Sequence, residues 1–394
     1  MQADYRTEES RIRALAELTN APVVRNENEQ IVSIGAGELK TIYFDALMYE
    51  GKPTRVYAWV GIPEGASSSH KVPGIVLIHG GGGTAFKEWV EKWNARGYAA
   101  ISIAVEGQTD EREPGKPGDT RRNRWKKHPW SGPVRTGIYG DSDKPIEEQW
   151  MYHAVADAIL ANSLLRSLSQ VDSTSVGLMG ISWGGIIAST VIGIDDRFAF
   201  AIPTYGCGNL SQVANQYGRA LGNNDLYKKV WDPVLRLKKV KIPTLWLSWP
   251  GDQHFPLDKQ ASCYRTISGP YMVCLIPGMK HGHQAGMKPP DSYAFADSVV
   301  KEGKPWAEQI SSRTESGQFT VIFESSKPLD EAFLISTTDT GITGKRKWIE
   351  SPAKLERIGE QWVVTATQPE GTTACFINIK SGDLTLTSDY TEIE

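Results

Sequence analysis

Apolar positions along this chain follow two different periods. Residues 40–48 and 55–62 alternate apolar and polar side chains on either side of Glu50-Gly51-Lys52-Pro53, which predicts a β-hairpin. From Val72 the alternation stops: Val72-Pro73-Gly74-Ile75-Val76-Leu77-Ile78-His79 is a continuous apolar run, as in strands covered on both faces of a parallel sheet. Phe86, Trp89, Val90 and Trp93 then share one side of a predicted helix, and residues 98–105 read as the next strand. The succession returns further on. An amphipathic helix over 148–168 (Met151, Val155, Ile159) leads into an apolar strand, 176–179, followed by a helix carrying Ile186, Ile187, Ala188 and Val191. Strands are predicted at 198–203, 242–249 and 271–276, the last of these closing the sheet, with a final helix over 291–301. Repeated strand, helix, strand implies right-handed crossovers and a doubly wound, mostly parallel α/β sheet.

Two stretches break this pattern. Residues 106–147 are rich in Gly, Pro and charge and lack periodicity, and 205–240 form a helical excursion. Both leave the carboxyl ends of strands, the edge where ligands bind in open α/β sheets, so both are expected to cover a site. After Gly303-Lys304-Pro305 the segments become short and β-rich (319–323, 332–336, 362–367, 373–379, 384–387), which predicts a small C-terminal β-sandwich. The expected division is an N-terminal extension over 1–38 with a short helix at 8–18, an α/β unit over 39–304 and the β domain over 305–394.

Composition narrows the function classes. The 394 residues, 40% hydrophobic and 23% charged with a net charge of -3, fit an ordinary globular protein without an overall bias towards nucleic acid or anionic membranes. A basic run at 121–127 (Arg121, Arg122, Arg124, Lys126, Lys127) is offset by Asp110, Glu111, Glu113 and Asp119 in the same loop, so a solvated loop lending Trp125 or Trp130 to a substrate wall is preferred to a nucleic-acid contact. The four cysteines are scattered and imply no disulfide framework. Residues 1–20 lack an apolar core, so no signal peptide is expected in the chain as given, and no run of about 18 apolar residues suggests a transmembrane helix. The compartment stays open: cytoplasmic, or periplasmic or secreted after removal of a leader.

The chemistry centres on Ser175-Val-Gly-Leu-Met-Gly180-Ile-Ser182-Trp-Gly184-Gly, a strand, a sharp turn and a helix with serine at the apex. Glycine on both sides of such a turn leaves room for a strained apex that holds the Ser182 hydroxyl exposed. A serine hydroxyl needs a base within hydrogen-bonding reach, and histidine has the suitable pKa. His281 and His283 follow the 271–276 strand; His281 is chosen, being first after the strand and followed by Gly282, with His283 in reserve. Asp252, in the turn after the 242–249 strand, is the candidate to orient the imidazole. The order Ser182, Asp252, His281 is that of α/β hydrolases. Oxyanion donors are expected from the Trp183 N–H and from His79-Gly80-Gly81-Gly82-Gly83, with Gly81 and Gly82 preferred. The Gly-Lys-Ser/Thr ending of a phosphate-binding loop is absent.

Together, His79-Gly-Gly-Gly-Gly, Gly180-Ile-Ser-Trp-Gly, Asp252-Gln-His-Phe-Pro and His281-Gly-His resemble the α/β-hydrolase superfamily over roughly residues 40–302, within it the dienelactone-hydrolase and acetyl-xylan-esterase-like branch. The chain differs from dienelactone hydrolases in carrying Ser182 where they carry cysteine, in its long loops and in its C-terminal β domain. The resemblance implies ester hydrolysis through an acyl-enzyme, without a metal or other cofactor, on a small-molecule or carbohydrate ester. Thirteen tryptophans, several in loops at the active-site edge, favour an acylated carbohydrate. Three other readings are weighed. A prolyl-oligopeptidase-like serine peptidase shares the triad, although no long β-propeller is evident. A metal site could be assembled from His254, His281, His283 and Asp252. A catalytically silent hydrolase-fold binding protein is disfavoured by the intact triad. The oligomeric state is not legible.

Overall fold

The structure, a computed structural model, describes residues 5–114 and 124–393. The chain opens with α1 (Arg6–Ala14), then β1 (Val24–Arg25), β2 (Leu39–Asp45) and β3 (Arg55–Gly61). The first parallel unit is β4 (Val72–Ile78), α2 (Lys87–Asn94) and β5 (Ala99–Ile103). A small antiparallel pair, β6 (Gln108–Arg112) and β7 (Trp125–Lys127), precedes α3 (Trp150–Ser167), β8 (Val171–Ile181), α4 (Trp183–Val191) and β9 (Phe200–Thr204). Short helices α5 (Gln216–Leu221) and α6 (Val234–Leu237) flank a π-helical turn at Tyr227–Trp231. Then come β10 (Thr244–Ser248), α7 (Leu257–Tyr264), β11 (Tyr271–Leu275), α8 (His283–Met287) and α9 (Pro290–Glu302).

The expected hairpin is present as the antiparallel pair β2–β3. Sheet order runs β1-β2-β3-β5-β4-β8-β9-β10-β11, with β5, β4, β8, β9, β10 and β11 parallel. This is the α/β-hydrolase fold. The apolar runs read from the sequence are the central strands: β5, β9 and β10 are buried at every residue. The chain winds from β4 outward to β5, then returns past β4 to β8. The carboxyl ends of β4 and β8 therefore face the crevice where the winding reverses, the ligand edge of such a sheet.

Several expectations need correction. The 148–168 helix is not amphipathic in place: α3 is buried almost all round, because Ile12 and Leu15 of the N-terminal segment cover its outer side and Ser163 Oγ donates to the Leu18 carbonyl at 2.6 Å. A helix between Asp252 and Tyr271 was not read from the pattern, yet α7 is there and makes the crossover that parallel β10 and β11 require. The 106–147 stretch is not structureless, since β6 and β7 pair within it; of its basic run, Arg121 to Asn123 lie outside the described residues, as does Asp119.

The C-terminal region contains β12 (Ala307–Glu315), β13 (Gln318–Ser325), β14 (Glu331–Thr337), β15 (Ile349–Ile358), β16 (Gln361–Thr367), β17 (Ala374–Ser381), β18 (Leu384–Thr387) and β19 (Thr391–Glu392). β12 and β15 escaped the sequence reading because they are mostly solvent-facing and carry little apolar signal. β15 joins two layers: Ile349 to Ala353 pair with β14 and Lys354 to Ile358 with β16. Nor does β11 end the main sheet. β18 adds beside it antiparallel at Val273–Thr387 and carries the sheet into the C-terminal layer. The joint is polar and buried. Thr387 Oγ1 accepts from the Leu275 N–H at 2.8 Å and donates to Asn378 Oδ1 at 2.7 Å, while Asn378 Nδ2 donates to the Leu275 carbonyl at 3.0 Å.

Thr387→Val keeps the shape and removes the hydroxyl, leaving the Leu275 N–H and Asn378 Oδ1 unpaired. Stability in urea denaturation is expected to fall by about 1–3 kcal/mol. A change under about 0.5 kcal/mol, the size seen for substitutions away from such features, would show that the joint does not depend on this bond.

Candidate active site

Ser182 sits at φ 59°, ψ -115°, a conformation that costs a non-glycine residue on the order of 1–3 kcal/mol. The surroundings hold it there: its N–H donates to the Thr204 carbonyl at 2.8 Å and its carbonyl accepts from the Ile186 N–H at 3.0 Å. The flanking glycines are a matter of space. A Cβ on Gly180 would lie 1.9 Å from the Gly184 carbonyl oxygen, and one on Gly184 would lie 2.1 Å from the Ile78 carbonyl oxygen. No side chain fits at either place.

Two strand ends bring the other groups to this apex. Asp252 follows β10 and His281 follows β11. His281 Nε2 is 2.9 Å from Ser182 Oγ, and its Nδ1 is 2.8 Å from Asp252 Oδ2. The Asp252 carboxylate has no solvent exposure; its Oδ1 accepts from the N–H groups of His254 (2.8 Å) and Phe255 (3.0 Å). The imidazole is 21% exposed and wedged among rings: Phe255 stacks on it at 5.9 Å, and Tyr205 lies 4.6 Å away with its hydroxyl donating to the Lys280 carbonyl at 2.8 Å.

His283, the reserve, is placed elsewhere. Its Nε2 accepts from the Gly80 N–H at 2.9 Å, and burial pushes its pKa down. Gly80 is thereby engaged, whereas Gly81 and Gly82 follow it at the end of β4, and the Trp183 N–H starts helix α4, where no intrahelical acceptor exists. The four groups weighed as a metal set do not converge: His254 Nδ1 accepts from Gln216 Nε2 at 2.6 Å, His283 faces Gly80, and Asp252 and His281 hold each other. Among the described residues no cluster of three His, Cys, Asp or Glu could hold a metal ion.

The glycine loop has a support that sequence reasoning did not assign. His79 Nδ1 donates to the Gly80 carbonyl at 2.7 Å. Its Nε2 accepts from the Val105 N–H and from Gln108 Nε2, both at 3.1 Å, and Gln108 also donates to the Gly83 carbonyl at 2.8 Å. Full burial pushes the His79 pKa down to about 3, so the ring stays neutral.

Both excursions reach the Trp183 ring, with Tyr139 at 5.7 Å from the first and Tyr217 at 5.9 Å from the second. Arg135, paired with Glu106 at 3.1 Å, lies 4.9 Å above the same ring. Beside His281 opens a cleft of about 370 Å³ whose walls include Trp249, His254, Gln216 and Arg219 and, from the C-terminal region, Ile342 and Lys345. The two tryptophans expected as substrate walls are not among its lining. Trp130 packs on Tyr43 and under the Arg55 guanidinium, and Trp125 Nε1 donates to the Gly82 carbonyl at 3.0 Å, beneath Arg112. Trp249 is the tryptophan of the cleft, and the sequence pattern gave no sign that residues 342–345 approach it.

The acetyl xylan esterase (AXE1) family model matches residues 14–214, half of the chain. The chain belongs to the acetyl xylan esterase family. It is accordingly an enzyme of the serine hydrolase class. The matched part of this family member holds Ser182 and the glycine loop; Asp252 and His281 lie beyond it. Acetyl xylan esterase 1 from Thermoanaerobacterium sp. JW/SL YS485 superposes with a TM-score of 0.52 at 16% identity, covering 71% of this chain and 89% of that one. Acetyl xylan esterase from Paenibacillus sp. R4 gives 0.50 at 18% identity, covering 72% and 90%. At these identities the likeness is one of fold. A curated relative, the probable dipeptidyl-peptidase 5 of Aspergillus terreus, is 27% identical over 257 residues, 60% of this chain and 31% of the relative. The chain thus spans less than a third of that relative's length. No helix among the described residues is long and apolar enough to cross a membrane.

Neutral His79 has a pH signature. Folded, it binds a proton only near pH 3; unfolded, near its ordinary 6.5. The unfolded state binds more protons between these values, so this contribution is complete above about pH 6.5 and is lost as pH falls towards 3, by up to about 1.4 kcal/mol per unit. His79→Gln is expected to flatten the loss of stability between about pH 6.5 and 4.5 in urea titrations, whatever its effect at neutral pH. An unchanged slope would refute the assignment.

Proposed function

We propose that this serine hydrolase is a carboxylic-ester hydrolase that removes acetyl groups from an acylated carbohydrate through an acyl-enzyme. The observation carrying the reading is the continuous chain from Ser182 Oγ through His281 to Asp252, at 2.9 and 2.8 Å. Ser182 Oγ attacks the ester carbonyl carbon while its proton passes to His281 Nε2. Asp252 keeps the Nδ1–H tautomer and stabilises the imidazolium. The negative charge that develops on the carbonyl oxygen meets the Trp183 N–H, at the positive end of α4, and an N–H of Gly81 or Gly82. His281 then passes the proton to the departing alcohol. Water repeats the sequence on the acyl-enzyme and releases the acid.

The carbohydrate part of the reading draws on the family and on Trp249 in the cleft wall, an aromatic surface suited to a sugar ring. Peptide cleavage is the second reading, favoured by the dipeptidyl-peptidase relatives.

Acetate release from 4-nitrophenyl acetate and from acetylated xylo-oligosaccharides is the test, with a peptide 4-nitroanilide run alongside. Ser182→Ala is expected to lower kcat by about 10⁴-fold or more and to abolish fluorophosphonate labelling at that peptide; Asp252→Asn is expected to cost about 10⁴. Anilide turnover exceeding ester turnover in kcat/KM would favour the peptidase. Wild-type protein inert to all three substrates and to the label would end the hydrolytic reading.

A further inference from the structure

The cleft beside His281 has a direction. Its lining includes His281 and His254 but none of Ser182, Trp183, Gly81 or Gly82. In an acyl transfer the histidine hands its proton to the departing oxygen, so the alcohol part leaves on the histidine side while the carbonyl oxygen faces the opposite donors. The cleft is therefore on the alcohol side of the ester, an assignment that rests on the esterase reading.

Its charge is one-sided. Arg219, on α5 of the second excursion, and Lys345, in the 3-10 turn Thr343–Lys345 of the C-terminal region, both line it and are both exposed. Neither has an ion-pair partner among the described residues, and the lining contains no aspartate or glutamate. The Lys345 turn is also anchored. Thr343 Oγ1 accepts from the Leu257 N–H at 2.7 Å, and a Cβ on Gly344 would lie 2.0 Å from the Asp252 carbonyl oxygen. The turn is packed against the backbone of the acid loop itself, so Lys345 is carried at a fixed place relative to His281.

We propose that the alcohol part of the substrate carries an anionic group, a carboxylate, which Arg219 of α5 and Lys345 of the C-terminal region receive in the cleft. The C-terminal region thereby supplies a specificity determinant of the active site. The acceptable substrate class is an acyl ester of an alcohol that carries a free carboxylate, such as an O-acylated sugar acid, in preference to its neutral counterpart.

The probes are 4-acetoxybenzoate, whose departing phenol bears the carboxylate, and its methyl ester, which does not. The quantity read is the ratio of their kcat/KM values, with the wild-type ratio as reference so that the intrinsic reactivities cancel. Arg219→Gln and Lys345→Gln are each expected to lower that ratio by up to about fivefold and the double variant by about tenfold or more, the range for partly exposed charge pairs. About 0.3 M salt is expected to lower the wild-type ratio as well. A second readout does not need turnover: binding of 4-hydroxybenzoate and of its methyl ester to Ser182→Ala protein, by calorimetry. The anion is expected to bind more tightly, and Arg219→Gln/Lys345→Gln in the Ser182→Ala background to remove the preference. Ratios within about twofold of wild type in the double variant, with no binding preference for the anion, would overturn the proposal. Loss of ester turnover with anion binding intact would instead remove the esterase reading and leave the anion site standing.

Discussion

Everything at the site depends on how closely two backbone segments approach under Ser182. With Gly180 against the Gly184 carbonyl and Gly184 against the Ile78 carbonyl, β8 turns into α4 within one residue, and that residue takes up the strained φ. The strain is tolerable because the turn is enclosed by buried strands on both sides, whose hydrogen bonds leave it no alternative path. From this one constraint follow the exposed hydroxyl, the free N–H of Trp183 at the head of α4 and the proximity of the β4 loop. The other groups reach the apex because β10 and β11 run parallel to β8 and end at the same level.

What could be read from the sequence was what short-range chemistry dictates. Continuous apolar runs marked β4, β8 and β10, since strands covered on both faces cannot alternate. Gly180-Ile-Ser-Trp-Gly named the turn, and Asp252 and His281 stood out as candidates by their position after strands. What escaped had one of two causes. Polar, solvent-facing strands such as β12 and β15 have no apolar period to detect. Contacts between distant segments leave no local trace: nothing in Thr343-Gly344-Lys345 announces that it packs under Asp252, and nothing near Trp130 says that it stacks on Arg55 rather than facing the cleft. The amphipathic reading of α3 failed for the same reason, because the N-terminal segment that covers it lies well over a hundred residues away.

The pairing of histidines shows how identical side chains divide their work by position. His281 is partly exposed and joins Ser182 to Asp252. His283, two residues on, is buried and serves as acceptor to the Gly80 N–H, fixing which N–H groups of the glycine loop stay available. His79 holds the same loop from beneath as a neutral ring with two donors aimed at its Nε2. In the proposed reaction only the first of the three gains and loses a proton; the other two sit where burial opposes protonation.

The antiparallel seam between β11 and β18 also bears on how the chain is made. β11 leaves the ribosome well before β18, with α8, α9 and six strands between them. During that interval its edge offers unpaired N–H and carbonyl groups beside a finished parallel sheet, a template for pairing with another chain. The strand that covers it is synthesised only after β12 to β17. Folding from the N-terminal side would therefore wait with an open edge, and slow translation or termination before β18 would expose the nascent enzyme to aggregation.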